Sequence, residues 1–172
     1  MIRQLSRKIC LLGAFAVGKT SLVERFVYNR FSETYLTTLG VRVSQKLLPP
    51  VTGNDGSTVQ YNLIIWDIAG MEKFDRVVMN YFRGAAGALA VVDVTRPETV
   101  DMLMEIVQRF RSVSPKAELL FLGNKIDLPA SENALQLLKK MAREYQSSHL
   151  TTSARTGENV EKAFLQLAGR LP

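Results

Sequence analysis

The chain has 172 residues, enough for one domain with a sizeable core, and 47% of them are hydrophobic, as in ordinary globular proteins. Its single cysteine excludes a disulfide framework and a cysteine-based metal cluster, and it favours a reducing, cytoplasmic location. The net charge of +6 is spread along the chain and forms no dense basic block, so nucleic acid is not an expected partner.

Apolar runs alternate with segments of helical periodicity, which is typical of an α/β fold with a largely parallel sheet and helices on both faces. The predicted strands cover residues 9–12, 41–48, 59–66, 87–92, 118–122 and 149–152. The predicted helices cover residues 20–28, 97–111, 132–145 and 158–168, with a shorter one within 75–83. The segment 49–58 is rich in turn residues and contains no helix, so the strands that it joins should be antiparallel.

Residues 13–20 fit the phosphate-loop pattern Gly-x-x-x-x-Gly-Lys-Thr and lie between a predicted strand and a predicted helix. Gly13 and Gly18 let the backbone curl so that N–H groups face an anion, and the helix N-terminus adds positive charge there. Lys19 can reach the outer phosphates of a nucleotide, and the Thr20 hydroxyl can ligate Mg²⁺. The alternative is a turn that ends in Lys-Thr by chance, which the strand–loop–helix context disfavours.

Two further segments could complete a site for phosphates and metal. In the polar loop 31–40, Phe31 could pack on the edge of a base, Tyr35 could lie over the phosphates, and a threonine could supply a second hydroxyl to Mg²⁺, with Thr37 and Thr38 as candidates. At the end of the third strand, Asp67 could hold a water of the metal and the Gly70 N–H could reach a γ-phosphate.

The segment Asn-Lys-Ile-Asp at 124–127 indicates which base is bound. A carboxylate at Asp127 can accept from the N1–H and the 2-amino group of guanine, a donor pair that adenine lacks, so the segment predicts guanine. By itself an Asn-x-x-Asp turn is common, but it is improbable beside a phosphate loop. After the last strand, the backbone N–H of Ala154 could meet the O6 atom of guanine.

Together these motifs resemble the small GTPases of the Ras superfamily, and most of all its Rab branch. The resemblance covers nearly the whole chain and rests on residues 13–20, 38–41, 66–70, 81–85, 92–95, 122–128 and 152–160. It implies the fold of a P-loop NTPase: an α/β domain with a six-stranded, mostly parallel sheet, one antiparallel edge strand and five helices on both faces. It also implies a single G domain over residues 1–172, and two loops, 31–40 and 69–81, that change shape between GTP and GDP.

The resemblance selects Thr38 over Thr37 and completes the set of candidate site residues. For nucleotide binding these are Gly13, Ala16, Val17, Gly18, Lys19, Thr20, Ser21, Phe31, Tyr35, Thr38, Gly70, Asn124, Lys125, Asp127, Leu128, Ser153, Ala154 and Arg155. For Mg²⁺ they are Thr20, Thr38 and, through water, Asp67. For catalysis they are Lys19, Thr38, Gly70 and Met71. The implied partners are effectors, an exchange factor and a GTPase-activating protein.

Two positions depart from the family pattern at places that bear on hydrolysis. Met71 stands where the family usually has a glutamine that orients the attacking water, and a thioether is a poor substitute. Phe15 replaces a glycine or small residue in the phosphate loop, where its ring would lie beside the γ-phosphate. Both changes bear on hydrolysis and neither bears on binding, so the sequence predicts slow intrinsic hydrolysis, unless Glu72 or a partner replaces the missing group. The alternative is that the two residues reflect drift around a site that still hydrolyses GTP adequately.

Three hypotheses follow for the function. The favoured one is a GTP/GDP molecular switch with weak GTPase chemistry, and the alternative is a nucleotide-loaded interaction module without useful turnover. A P-loop kinase is disfavoured by the guanine motif. The family usually carries a prenylated cysteine tail, and no cysteine lies near Pro172. Either such a tail is missing from this sequence or the protein is not lipid-anchored, as would suit a prokaryotic or otherwise soluble relative, so membrane association stays open.

Overall fold

The fold is described by a computed structural model over residues 2–34, 36–70 and 75–172. Its strands are β1 (Ile2–Leu12), β2 (Val41–Leu47), β3 (Val51–Thr52), β4 (Thr58–Ile68), β5 (Gly87–Asp93), β6 (Glu118–Asn124) and β7 (Ser148–Thr151). Its helices are α1 (Lys19–Tyr28), α2 (Arg76–Tyr81), α3 (Glu98–Val113), α4 (Glu132–Glu144) and α5 (Val160–Ala168). The predicted alternation of strands and helices is confirmed.

The strands form one sheet in the order β2-β4-β1-β5-β6-β7, with β3 paired to β4. Strands β4, β1, β5, β6 and β7 run parallel, whereas β2 is an antiparallel edge strand beside β4. The described residues hold seven strands where the sequence predicts six. The additional strand is β3, a two-residue antiparallel pairing at Val51↔Val59 and Thr52↔Thr58 inside the segment predicted as a turn.

The two faces of the sheet are covered by separate apolar clusters. On one face α1 and α5 pack together, and the rings of Phe26 and Phe164 stack with centroids 4.0 Å apart. On the other face α3 and α4 cover the sheet, where Phe82 and Phe110 meet edge to face at 5.4 Å. Every residue of β5 is buried, as expected for a central parallel strand that is covered on both sides.

This architecture brings the carboxyl ends of the parallel strands to one edge of the sheet. Gly13 follows β1, Asp67 lies near the end of β4, and Asp93 and Asn124 end β5 and β6. Ligands of open α/β sheets bind outside these strand ends. The described helices include none that combines the length and the apolar character needed to cross a bilayer.

Candidate functional site

A cavity of about 1090 Å³ opens at the carboxyl ends of the strands. It is lined by these predicted site residues: Ala16, Gly18, Lys19, Thr20, Ser21, Phe31, Thr38, Asp67, Gly70, Asn124, Lys125, Asp127, Leu128, Ala154 and Arg155. Three others, Gly13, Val17 and Ser153, are buried and are not part of this lining. The predictions for Tyr35, Met71 and Glu72 concern positions outside the described residues.

The phosphate loop needs glycine at both of its fixed glycine positions. A Cβ atom on Gly13 would lie 2.5 Å from the carbonyl oxygen of Val91, and one on Gly18 would lie 2.3 Å from the amide nitrogen of Asn124. Gly18 also has a φ of +101°, which L-residues avoid. The loop is therefore packed tightly against the ends of β5 and β6.

Lys19 lies inside this loop with only 6% of its surface exposed. Its ammonium group donates to the carbonyl oxygens of Gly13 at 2.7 Å and of Ala14 at 3.0 Å. Burial lowers the pKa of Lys19 to about 8, although the nearby charge of Asp67 opposes this shift. A cation held in such a place would be stabilised by an anion entering the cavity.

Side-chain oxygen atoms from three segments of the chain meet beside Lys19. The Thr20 hydroxyl, at the start of α1, donates to a carboxylate oxygen of Asp67 at 2.6 Å, and it lies 2.6 Å from the hydroxyl oxygen of Thr38. The other carboxylate oxygen of Asp67 is buried and has no hydrogen-bond partner, and burial raises the pKa of this carboxyl group.

This donor set fits Mg²⁺, because that ion prefers oxygen ligands and keeps several waters, one of which could satisfy the unpaired oxygen of Asp67. Among the described residues, no cluster of three or more His, Cys, Asp or Glu side chains could hold a metal. A metal here would therefore depend on the hydroxyl groups and on oxygens supplied by a ligand.

At the other end of the cavity, Asn124 joins three segments of the chain. Its amide nitrogen donates to the carbonyl oxygen of Val17 at 3.0 Å. Its side-chain oxygen accepts from the Thr152 hydroxyl at 3.1 Å and from the backbone N–H of Ala154 at 3.3 Å. The Ala154 N–H, predicted to meet a guanine oxygen, thus already has a partner, although the hydrogen bond is long.

The carboxylate of Asp127 faces the cavity in an orientation set by Ser153. The Ser153 hydroxyl donates to one carboxylate oxygen at 2.7 Å and accepts from the backbone N–H of Thr156 at 3.0 Å. Asp127 is exposed, whereas Ser153 is completely buried. A carboxylate held at one oxygen and open at the other can accept from a planar donor pair on a ligand.

Sequence reasoning missed a group of charged residues at the two ends of the loop 31–40. Glu24, on α1, accepts from Arg30 Nε at 2.5 Å and from Arg42 Nη2 at 2.9 Å. The hydrogen bond from Arg30 and the charges of both arginines lower the pKa of Glu24. Since Arg30 precedes the loop and Arg42 follows it, one carboxylate ties both of its ends. No periodicity in the sequence indicates these pairs.

Sequence reasoning also missed Asp93, at the end of β5. Its carboxylate is buried and lies 2.8 Å from the ammonium group of Lys125, which in turn donates to the carbonyl oxygen of Ala16 at 2.8 Å. The sequence did carry a signal for this residue, because Asp93 is the one acidic residue of β5 and ends an otherwise apolar strand.

Comparison with known proteins extends the similarity beyond single motifs. A profile of the Ras family matches residues 8–172 of this chain. The chain is 39% identical over 163 residues to Ras-related protein Rab-4B of Homo sapiens. The aligned region covers 94% of this chain and 74% of that protein. It is 37% identical over 166 residues to Ras-related protein Rab-4A of Danio rerio, covering 95% and 75%. It is 35% identical over 170 residues to GTP-binding protein ypt4 of Schizosaccharomyces pombe, covering 95% and 70%.

Proposed function

The chain belongs to the Ras family of small GTPases, and we propose that it switches between a GTP-bound and a GDP-bound form and hydrolyses GTP slowly by itself. The observation that carries this proposal is the single cavity with a phosphate loop at one end and the Asn-Lys-Ile-Asp segment at the other. The hydrogen bond from Asn124 to Val17 connects the two ends.

The two ends of the cavity suit different parts of a guanine nucleotide. The buried ammonium group of Lys19 would neutralise the charge of the β- and γ-phosphates and exchange its present carbonyl partners for phosphate oxygens. Asp127 would accept from the two donors of guanine, with its carboxylate oriented by Ser153. Phe31 lines the cavity from the loop after α1 and would flank the base.

Thr20 and Thr38 would ligate Mg²⁺, and Asp67 would hold one of its waters. When bound, the ion neutralises negative charge on the phosphate oxygens. Thr38 belongs to the loop 31–40, so the contact between the two hydroxyl groups links that loop to the phosphate loop.

The switch itself would use the loops that carry Thr38 and Gly70. Contacts of Thr38 with the metal and of the Gly70 N–H with the γ-phosphate would hold these loops in the GTP form and release them when the phosphate leaves. Glu24 would keep both ends of the first loop in place during this change, through Arg30 and Arg42.

The exposed apolar side chains of the first loop favour partners that read its conformation. Leu36 and Leu39 flank Thr38 and are 78% and 85% exposed. Apolar side chains so exposed beside a ligand-sensitive contact are suited to bind an effector in one nucleotide state only. An exchange factor and a GTPase-activating protein are proposed as further partners.

We infer slow hydrolysis from Phe15, in the phosphate loop, and from Met71, which follows Gly70 in the sequence. A Cβ atom on Gly70 would lie 3.5 Å from the ring of Phe15, so this ring occupies the space next to the glycine that would contact the γ-phosphate. Met71 brings no strong hydrogen-bonding group to orient water. Catalysis in this class is positional and electrostatic, so these changes should affect the rate of hydrolysis more than nucleotide affinity.

Single-turnover hydrolysis of bound GTP tests this proposal. We expect a rate of ~10⁻⁴ s⁻¹ or below for the natural chain, and a faster rate for Met71→Gln. Met102→Gln on α3 is the control for the change of residue type, because Met102 is exposed and lies outside the cavity lining. Unaided hydrolysis far above this rate in the natural chain would contradict the proposal.

The second candidate function is a GTP-loaded interaction module without turnover, which the same two residues favour. Chromatography of the nucleotide that accompanies the purified protein separates the two candidates. Bound GTP with no phosphate release, even in Met71→Gln, would favour the module, whereas bound GDP with slow release would favour the switch.

A further inference from the structure

Arg96, in the turn between β5 and α3, connects the phosphate loop to the buried carboxylate of Asp93. Its Nη2 atom donates to the carbonyl oxygen of Phe15 at 2.9 Å, and its Nε atom lies 3.2 Å from Asp93 Oδ2. Asp93 is 1% exposed and also accepts from the backbone N–H of Thr95 at 2.9 Å and from its hydroxyl at 2.6 Å. The guanidinium group of Arg96 is therefore fixed by Asp93 on one side and binds the phosphate loop on the other.

The contact with the Phe15 carbonyl determines where the next N–H points. In a trans peptide the C=O and the following N–H lie in one plane and point in opposite directions. Arg96 holds the Phe15 carbonyl and lies outside the cavity lining, so the N–H of Ala16 points away from Arg96 and towards the cavity that Ala16 lines. Ala16 has a φ of +61°, as in the backbone nests that bind anions.

The neighbouring carbonyl groups are held in the same way. Lys125 donates to the Ala16 carbonyl oxygen and Asn124 donates to that of Val17, so the next two N–H groups point away from these two side chains. Arg96 thus extends an array of oriented donors by one peptide, at the end farther from α1.

That end of the array lies near Gly70, because a Cβ atom on Gly70 would lie 3.5 Å from the ring of Phe15. On the proposed function, the Gly70 N–H faces the γ-phosphate, so the Ala16 N–H lies at the terminal end of the polyphosphate. We propose that Arg96 is a positioning residue that aims this N–H at the terminal phosphates and so makes the protein retain GTP more firmly than GDP. The inference rests on the proposed function for the location of the γ-phosphate.

The test compares the release of a fluorescent, non-hydrolysable GTP analogue and of fluorescent GDP from the full chain. Arg96→Ala should release the GTP analogue about tenfold faster and GDP less than about twofold faster, since one charge-assisted hydrogen bond is lost. Arg96→Lys should recover part of the difference, because an ammonium group can reach one of the two acceptors. Arg143→Ala, which removes a positive charge from the exposed end of α4, should change neither rate.

A role in general stability would give a different result. If Arg96→Ala accelerates the release of both nucleotides equally, or of neither, the inference is overturned while GTP binding still supports the proposed function. If the natural chain binds no GTP, the proposed function fails first. The amide resonance of Ala16 gives an independent measurement, since its shift on binding the GTP analogue should shrink in Arg96→Ala and persist in Arg143→Ala.

Discussion

The amide nitrogen of Asn124 lies 3.0 Å from the carbonyl oxygen of Val17, so the segment expected to recognise the base supports the phosphate loop directly. The two residues are 107 positions apart in the chain. Asn124 is buried and its side-chain oxygen is occupied by Thr152 and Ala154. We therefore predict that Asn124 supports nucleotide binding through these contacts, and that binding at one end of the cavity depends on packing at the other.

Gly18→Ala should disrupt this connection. The new Cβ would fall 2.3 Å from Asn124 Nδ2, and the φ of +101° would be strained as well. We expect a loss of about 2–4 kcal/mol in the free energy of unfolding and a loss of nucleotide binding. Urea unfolding and a nucleotide-binding titration would measure the two effects.

Gly56→Ala is the matched control for that prediction. Gly56 also has a positive φ, of +77°, but a Cβ there would meet no atom within 4 Å. This variant should lose only about 1 kcal/mol from backbone strain and bind nucleotide normally. Equal effects of the two substitutions would show that the contact with Asn124 is unimportant.

Asp127→Asn should weaken the preference for guanine. An amide in place of the carboxylate presents a donor to the N1–H or the 2-amino group of guanine, so at least one favourable hydrogen bond is replaced by a repulsion. We expect GTP affinity to fall by about a hundredfold or more, with little change in the free energy of unfolding because the residue is exposed.

Competition between GTP and ATP for the natural chain, for Asp127→Asn and for Asp55→Asn would measure this preference. Asp55 lies in the exposed turn before β4 and should be indifferent to the base. The site assignment is contradicted if Asp127→Asn keeps the natural preference for GTP over ATP.

The pH dependence of stability should report the buried ammonium group of Lys19. Burial lowers the pKa of Lys19 to about 8 in the folded protein, against the ordinary lysine value of 10.5 in the unfolded chain. Below about pH 8 the folded protein carries a buried charge that destabilises it. As the pH rises from about 8 towards 10.5, the folded protein loses this proton first, and its stability should increase, by at most about 3 kcal/mol.

Urea unfolding of nucleotide-free protein at pH 7.5 and 9.5 would reveal this increase. Lys19→Gln should remove it, and Lys140→Gln on the exposed side of α4 should leave it. Bound nucleotide should also reduce it, because phosphates favour the charged lysine. The same increase in Lys19→Gln and in the natural chain would assign it to other groups.

The fold class and the family were predictable because their signals are local. The alternation of strands and helices follows from periodicity, and the glycines of residues 13–18 stand where the backbone can accept no Cβ. The segment 49–58 shows the limit of this reasoning. Its turn residues predicted no strand, but Val51 and Thr52 pair with β4 and so form the two-residue strand β3. The roles of the site residues stay predictions until ligand binding is measured.

What the sequence determined by itself is the chemistry available at each strand end: glycines, lysines, hydroxyl groups and carboxylates in a fixed order. Only the tertiary structure decided which of them hold one another, as in the pairing of Asp93 with Arg96 and Lys125 and of Glu24 with Arg30 and Arg42. Periodicity records which face of an element is buried, but a pairing between elements also depends on the angle and distance at which they pack. Those are properties of the whole folded chain.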